Sequence, residues 1–339
     1  MLKKIVNPLV VSAIVLLPLI SACSSDTKSE GTSAPVKEAA TPAKTESKAV
    51  AGHVFNIKPK KVAEGVYCMF GALEMPMASN AGYMSNSCYI KTDDSWVVWD
   101  TGATYKFAKA VYTEMQKIAD LPVKTIIFSH EHDDHWLGAG FYKEKFNSKL
   151  IGTKLINERY KLGHEAETRM FNILNPIDVE GTKITHMDES YDNGKVFNLG
   201  GVRMEYISLG QAHSEDDFLL YLPEKKVILT ADVVMNGRIT SNRNGLVMGQ
   251  LKALDLIKSK DWDVLVPGHG FITDKTATDE SVKYFTQMKD QILAALENDV
   301  EATEINEVVT LPDFKDKKLY DVLNSNNVSR SYGEFEMMD

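Results

Sequence analysis

The stretch His130-Glu131-His132-Asp133-Asp134-His135 follows directly on Thr125-Ile126-Ile127-Phe128-Ser129. The apolar, β-branched run predicts a buried strand over 125–129. The six residues after it crowd three imidazoles and three carboxylates into one loop. A strand ending in such a loop suits metal binding, because the sheet is rigid and the loop aims the donors. His130 and His132 lie two apart and can chelate one ion from the same side of an extended loop. Asp134 and His135 turn towards a second position. Zinc accepts this mixture of imidazole and carboxylate, and iron or manganese accept it too. The plainer alternative is a polar surface loop with fortuitous histidines.

The chain has 339 residues, 44% of them hydrophobic, enough to bury a substantial core. The net charge is −9 and no basic stripe follows the N-terminus, which argues against a nucleic-acid partner. Lys3 and Lys4 precede an apolar segment, 5–20, and then Ile20-Ser21-Ala22-Cys23. This resembles a bacterial lipoprotein signal, with residues 1–22 removed and Cys23 lipidated. An ordinary secretory signal cleaved near Ala22 is the alternative. A membrane-spanning anchor is disfavoured, because the segment is short and interrupted by Pro8 and Pro18. Residues 23–52 then form the lipidated cysteine and a tether of Ser, Thr, Lys, Glu, Ala and Pro. That composition predicts disorder and a mean span of roughly 30 Å. The expected location is the periplasm, membrane-anchored. In a Gram-negative cell, Ser24 after the lipidated residue resembles the outer-membrane sorting pattern. Cys68 and Cys88 lie in two predicted strands. An exported protein permits a disulfide between them, while two buried free thiols fit equally well.

From residue 53 onward, strands are predicted over 66–70, 87–90 and 96–99, and a helix runs through Phe107, Val111, Met115 and Ile118. Helices follow over 137–146 and 154–174. A second β-rich half covers 183–187, 195–197, 202–209, 217–222 and 225–230. A helix over 251–259, a strand over 264–266 and a helix over 280–297 complete the pattern. This order predicts an α/β fold, an αββα sandwich of two β-sheets flanked by helices, over 53–300. Residues 301–339 form a C-terminal extension expected to pack on that domain.

Three later strands also run into metal-competent residues, at His213, Asp232 and His269. A lone histidine at a strand end is more often structural, but four strand ends that each supply a ligand type make chance a poor explanation. Together, His130-x-His132-x-Asp134-His135, His213, Asp232 and Gly268-His269, with Asp100-Thr101-Gly102 before them, resemble the ligand series of the metallo-β-lactamase-fold hydrolases. The resemblance covers roughly residues 60 to 275. It implies that His130, His132 and His213 hold one ion, that Asp134, His135 and His269 hold a second, and that Asp232 bridges them. Asp100 is similar to a residue that fixes a ligand imidazole. Asp133 fills a variable slot and has no assigned role. The C-terminal stretch, Leu311 to Tyr332, resembles more weakly a tail of the branch linked to sulfur oxidation and quinoprotein systems.

The resemblance implies a hydrolase with two zinc ions, or iron or manganese in their place. A hydroxide shared by the ions would attack a carbonyl or ester-like small molecule, with Asp134 aiding proton transfer. The chain has no Cys beyond residue 88 and retains Asp232, which by the same resemblance leans towards the glyoxalase-type thioesterases, the lactonases and the broad periplasmic metallohydrolase branch. Two other functions compete: a mononuclear iron sulfur dioxygenase, and a lipid-anchored binding protein with an inert metal. Elsewhere, Met75, Met77, Tyr83 and Met84 are candidates for an apolar pocket wall, and Asn236, Arg238 and Asn242 for polar contacts. His53 is expected in solvent. His164 falls in a charged helix, and His186 reads as a structural hydrogen-bonder.

Overall fold

The computed structural model describes residues 51–159 and 169–338. The readings for the leader, for Cys23, for almost all of the tether and for His164 lie outside the described residues. Two sheets make up the core. The first has the order β1 (Lys60–Ala63), β2 (Val66–Met69), β3 (Ser87–Lys91), β4 (Trp96–Trp99), β5 (Val123–Ile127), β6 (Lys149–Gly152) and β7 (Glu189–Ser190). It is antiparallel through β4 and parallel beyond it. The parallel steps are bridged by α1 (Tyr105–Ile118), then by α2 (Asp133–Trp136) and α3 (Ala139–Phe146). The second sheet has the order β12 (Val264–His269), β11 (Val227–Met235), β10 (Asp217–Leu222), β9 (Val202–Gly210) and β8 (Lys195–Leu199). Only β11 and β12 run parallel in it, joined through α7 (Val247–Lys258).

Side-chain alternation shows why these strands read as unbroken apolar runs. In β4, Val97 and Trp99 enter the layer between the sheets, whereas Trp96 and Val98 face the α1 and α3 side. In β10, Phe218, Leu220 and Leu222 point inward, and Leu219 and Tyr221 point to the opposite helical layer. Both faces of these central strands are therefore covered, and a polar residue on either face would be buried. Helices, sheet, sheet and helices stack as the sequence predicts. Thr104 starts α1 by accepting the Phe107 N–H on its hydroxyl at 3.1 Å.

Cys68 and Cys88 stand directly opposite each other on β2 and β3 and are joined by a disulfide. The chain closes with α8 (Asp279–Glu297), α9 (Ile305–Val308) and α10 (Tyr320–Glu336). Val328, Tyr332 and Phe335 of α10 are buried with Tyr284, Met288 and Ile292 of α8.

Several local expectations are corrected. Residues 183–187 form no strand. His186 is exposed there, and only Glu189–Ser190 join the sheet. The helix predicted over 154–174 is described only at its two ends, as α4 (Lys154–Arg159) and α5 (Arg169–Ile173), the residues between them lying outside the described set, and α6 (Pro176–Val179) follows. Gly138 separates α2 from α3. His53 is half-buried rather than solvated: its N–H donates to Asp178 at 2.7 Å and its ring meets Phe55 edge-on.

Candidate metal centre

The donors are carried to the same edge of the two sheets by four separate segments of the chain. After β5, the Ser129 N–H donates to Asp100 Oδ1 at 3.0 Å, which bends the chain into the histidine loop. Asp100 itself is held in the left-handed region (φ 53°), unusual for a residue with a side chain. That conformation brings its other oxygen to the Ser129 hydroxyl and to His135 Nδ1, both at 2.8 Å. His213 follows β9 in a turn held by Asp217, which accepts the Ala212 and Ser214 N–H groups at 3.2 and 2.7 Å.

Asp232 corrects a boundary. The strand predicted to stop at Thr230 continues as β11 to Met235, so Asp232 lies inside it. Ala231 has φ 44°, and the register with β12 slips on both sides of it, a bulge that re-aims the following side chain. His269 ends β12. The glycine before it is obligatory, because a Cβ on Gly268 would sit 2.0 Å from Asp232 Oδ1 and 2.5 Å from the Ala231 carbonyl carbon.

His130, His132, His213 and Asp232 form one buried group, and Asp134, His135 and His269 form another. The five imidazoles are oriented from behind. His130 Nδ1 donates to the Ser129 hydroxyl at 2.9 Å, since that hydroxyl spends its own proton on Asp100. His132 Nε2 meets Asn244 Oδ1 at 3.3 Å, and His213 Nδ1 meets the Thr240 hydroxyl at 3.3 Å. His135 Nδ1 donates to Asp100, and His269 Nδ1 donates to the Met84 carbonyl at 2.7 Å. With the rear nitrogen protonated in each ring, the inner nitrogen presents a lone pair.

Those inner nitrogens converge. His130 Nε2 lies 3.0 Å from His132 Nδ1, which lies 2.9 Å from His213 Nε2. Lone pairs facing each other at this range repel unless a cation sits among them. Tetrahedral zinc with bonds of about 2.0–2.1 Å would space its nitrogens at roughly 3.3 Å, close to what is found. Asp232 faces both groups: Oδ2 lies 3.3 Å from both His213 Nε2 and His269 Nε2, and Oδ1 lies 3.0 Å from His135 Nε2. Asp232 Oδ1 and His135 Nε2 are both buried. Asp134 Oδ2 lies 3.4 Å from His269 Nε2 and 3.5 Å from His135 Nε2. These donors fit a dinuclear metal site.

Electrostatics agree for His130 and His213. Burial, with His135 beside it, pushes His130 well below the ordinary histidine range, and burial pushes His213 down to about 4. Both are therefore neutral, the form that binds metal. Asp232 is held well below the usual carboxylate range, because His269 and His135 outweigh the burial that would raise it. His135 is raised against its burial by Asp232, Asp134 and Asp100. Burial raises Asp100, although its contact with His135 opposes this.

The centre opens on a cavity of about 350 Å³, lined by His132, Asp134, His213, Asp232 and His269. Met75 and Met84 line it as well, whereas Met77 is partly exposed elsewhere and Tyr83 packs against Phe107 at 4.5 Å. Arg238 reaches the cavity, but Asn236 and Asn242 do not. Asn236 holds the Phe271 and Ile272 N–H groups, and Asn242 bonds Asn327 and Ser331.

Sequence reasoning missed Ser129, Thr240 and Asn244 behind the histidines, and Asn86. The Asn86 side chain donates to the Pro267 and Gly270 carbonyls at 2.9 and 3.0 Å, locking the turn that carries His269. Ordinary polar residues in loops give no periodic signal. Only Ser129, adjacent to His130, was discoverable by position.

A sequence-family model described as Metallo-beta-lactamase superfamily matches residues 81–269, more than half of the chain. The chain belongs to this superfamily. It is similar to the linear primary-alkylsulfatase of Pseudomonas sp. (strain ATCC 19151), at 24% identity over 264 residues, covering 66% of this chain and 49% of the relative. The chain thus spans about half the length of that relative. It is also similar to metallo-beta-lactamase IND-1 of Chryseobacterium indologenes, 22% identical over 192 residues, covering 55% of this chain and 72% of the relative. A solved metallo-beta-lactamase from Pontibacter korlensis has the same fold, with a TM-score of 0.54 at 17% identity over 68% of this chain and 99% of that one.

Proposed function

We propose that this superfamily member is a dinuclear metal-dependent hydrolase, with zinc its expected metal, acting on a small ester-like or carbonyl substrate. The observation that carries this reading is that two buried donor groups share Asp232 and open together on a cavity. A structural metal site is ordinarily closed, with every ligand supplied by protein. Two divalent ions bound there supply Lewis acidity and lower the pKa of solvent at the site. The chain's own residues do the rest. Asp100 and Ser129 fix His135 and His130 so that their Nε2 atoms face inward. Asp134 presents its carboxylate to the cavity as acceptor for the proton that an attacking solvent molecule gives up. Met75, Met84 and Met235 supply an adaptable apolar wall for the substrate.

The similarity to an alkylsulfatase and to a β-lactamase makes a sulfate ester and a β-lactam reasonable first substrates, beside thioesters and lactones. Export with lipid attachment at Cys23 belongs to the same proposal. The Cys68–Cys88 disulfide supports an oxidising compartment. Metal analysis with turnover tests the reading: about two ions per chain, activity abolished by a chelator and restored by zinc or manganese. One iron per chain with oxygen consumption would replace hydrolysis by sulfur dioxygenation, and full activity without metal would end both.

A further inference from the structure

The cavity holds a second chemistry that hydrolysis by the seven donors leaves unused. Arg238, Arg243 and Arg330 line it, and among its described lining residues the only carboxylates are Asp134 and Asp232. The three cations arrive from separate places. Arg238 follows β11, Arg243 lies in the loop before α7, and Arg330 stands on α10. Arg238 is only 6% exposed, and its Nη1 lies 3.4 Å from His269 Nδ1. That ring nitrogen already donates to Met84, and Arg238 Nε donates to the Ile239 carbonyl at 3.4 Å, so the guanidinium is positioned beside the second donor group. Arg330 Nε lies 3.4 Å from the Arg243 carbonyl, which ties the two exposed arginines together.

Three guanidinium groups brought to one cavity from separate elements give it a positive potential that favours an anionic ligand. If two divalent ions are held by only two carboxylates, the centre is itself net positive, and the arginines add to that charge. Planar guanidinium forks match oxyanions two bonds at a time. Met75, Met235 and Leu323 line the same cavity and give it apolar surface.

We propose that the cavity selects an amphiphilic anion, a short apolar chain bearing a sulfate, phosphate or carboxylate, with its oxyanion held by Arg238, Arg243 and Arg330. This deepens the hydrolase reading by naming the substrate class, and it rests on that reading only for the chemistry after binding. Calorimetric titration of the full chain, chelator-treated and zinc-loaded, with hexyl sulfate, hexyl phosphate, hexanoate and 1-hexanol tests it. At least one anion should bind tenfold or more tightly than hexanol. Arg243→Gln and Arg330→Gln should each weaken that anion about three- to tenfold and leave hexanol unchanged. Both sites are exposed, so neither variant threatens the fold, as Arg238→Gln would. Equal binding of anions and alcohol, or anion binding indifferent to both variants, overturns the proposal. Anion preference without turnover of any ester would sink the hydrolase reading and keep the clamp. Turnover of neutral esters without anion preference would do the reverse.

Discussion

The metal centre and the wall around it are built in opposite ways. The seven donors all lie between residues 130 and 269, inside the segment that matches the superfamily, and each is buried on a strand or in the turn that follows one. The wall draws on Met75, the loop at 238–246 and α10, and its arginines at 243 and 330 are exposed. α10 lies beyond the matched segment altogether. The centre is thus specified by a rigid sheet and allows little variation, while the wall is set by how a terminal helix docks. Chemistry and selectivity are separable in this architecture, which is a way for one fold to serve many substrates.

The sharpest break of that contrast is at Asp232, the carboxylate that lies within 3.3 Å of histidines from both donor groups. Asp232→Ala should reduce bound metal below one ion per chain and cut turnover by about 10³-fold or more, because it removes several kcal/mol of charge stabilisation. Metal analysis beside steady-state rates reads both. Retention of two ions with ordinary turnover would show that the carboxylate bridges nothing.

Asp100→Asn probes the support rather than the ligands. The amide keeps the volume but loses the charge that holds His135 Nδ1–H, and its NH₂ group faces the Ser129 N–H or the imidazole. A loss of 10- to 100-fold in affinity for the second ion is expected, with the first ion retained. Competitive titration against a chromophoric chelator separates the two sites, and equal weakening of both would show that the sites are not independent.

The centre was legible in sequence because donor chemistry and strand ends can both be read locally. Val227 to Ala231 announces a buried strand, and the acid after it attracts notice at once. Even there the sequence placed the strand end too early, since the bulge at Ala231 is a tertiary feature imposed by β12. The supports were harder to see. Thr240 and Asn244 resemble any loop residues until α10 fixes their loop through Asn327, which bonds the Thr240 carbonyl at 2.6 Å and the Asn242 N–H at 2.8 Å. Arg330 carried no signal at all, because its position depends on a contact spanning 87 residues of chain. The strand predicted over 183–187 failed because apolar alternation alone does not supply a pairing partner.

The mildest test asks whether the wall can be loosened without touching the centre. Glu334 on α10 accepts the Val247 and Met248 N–H groups at 2.7 and 3.0 Å, at the N-terminus of α7, whose own N-cap residue, Leu246, has no polar side chain to offer. The carboxylate therefore caps α7 from another helix and meets the positive end of its dipole. Glu334→Gln keeps one oxygen acceptor and removes the charge, at a cost of about 1 kcal/mol, up to roughly 2 for so buried a position. That predicts a fall in Tm of about 2–4 °C by calorimetry. Because α10 also carries Arg330 and Leu323, affinity for hexyl sulfate should fall about two- to fivefold, the range that such an energy allows when part of it reaches the ligand. Metal content should stay at the wild-type value, since no donor sits on α7 or α10. Loss of metal in this variant would mean that Thr240 and Asn244 transmit the docking of α10 to His213 and His132, and that the wall and the centre form one cooperative unit.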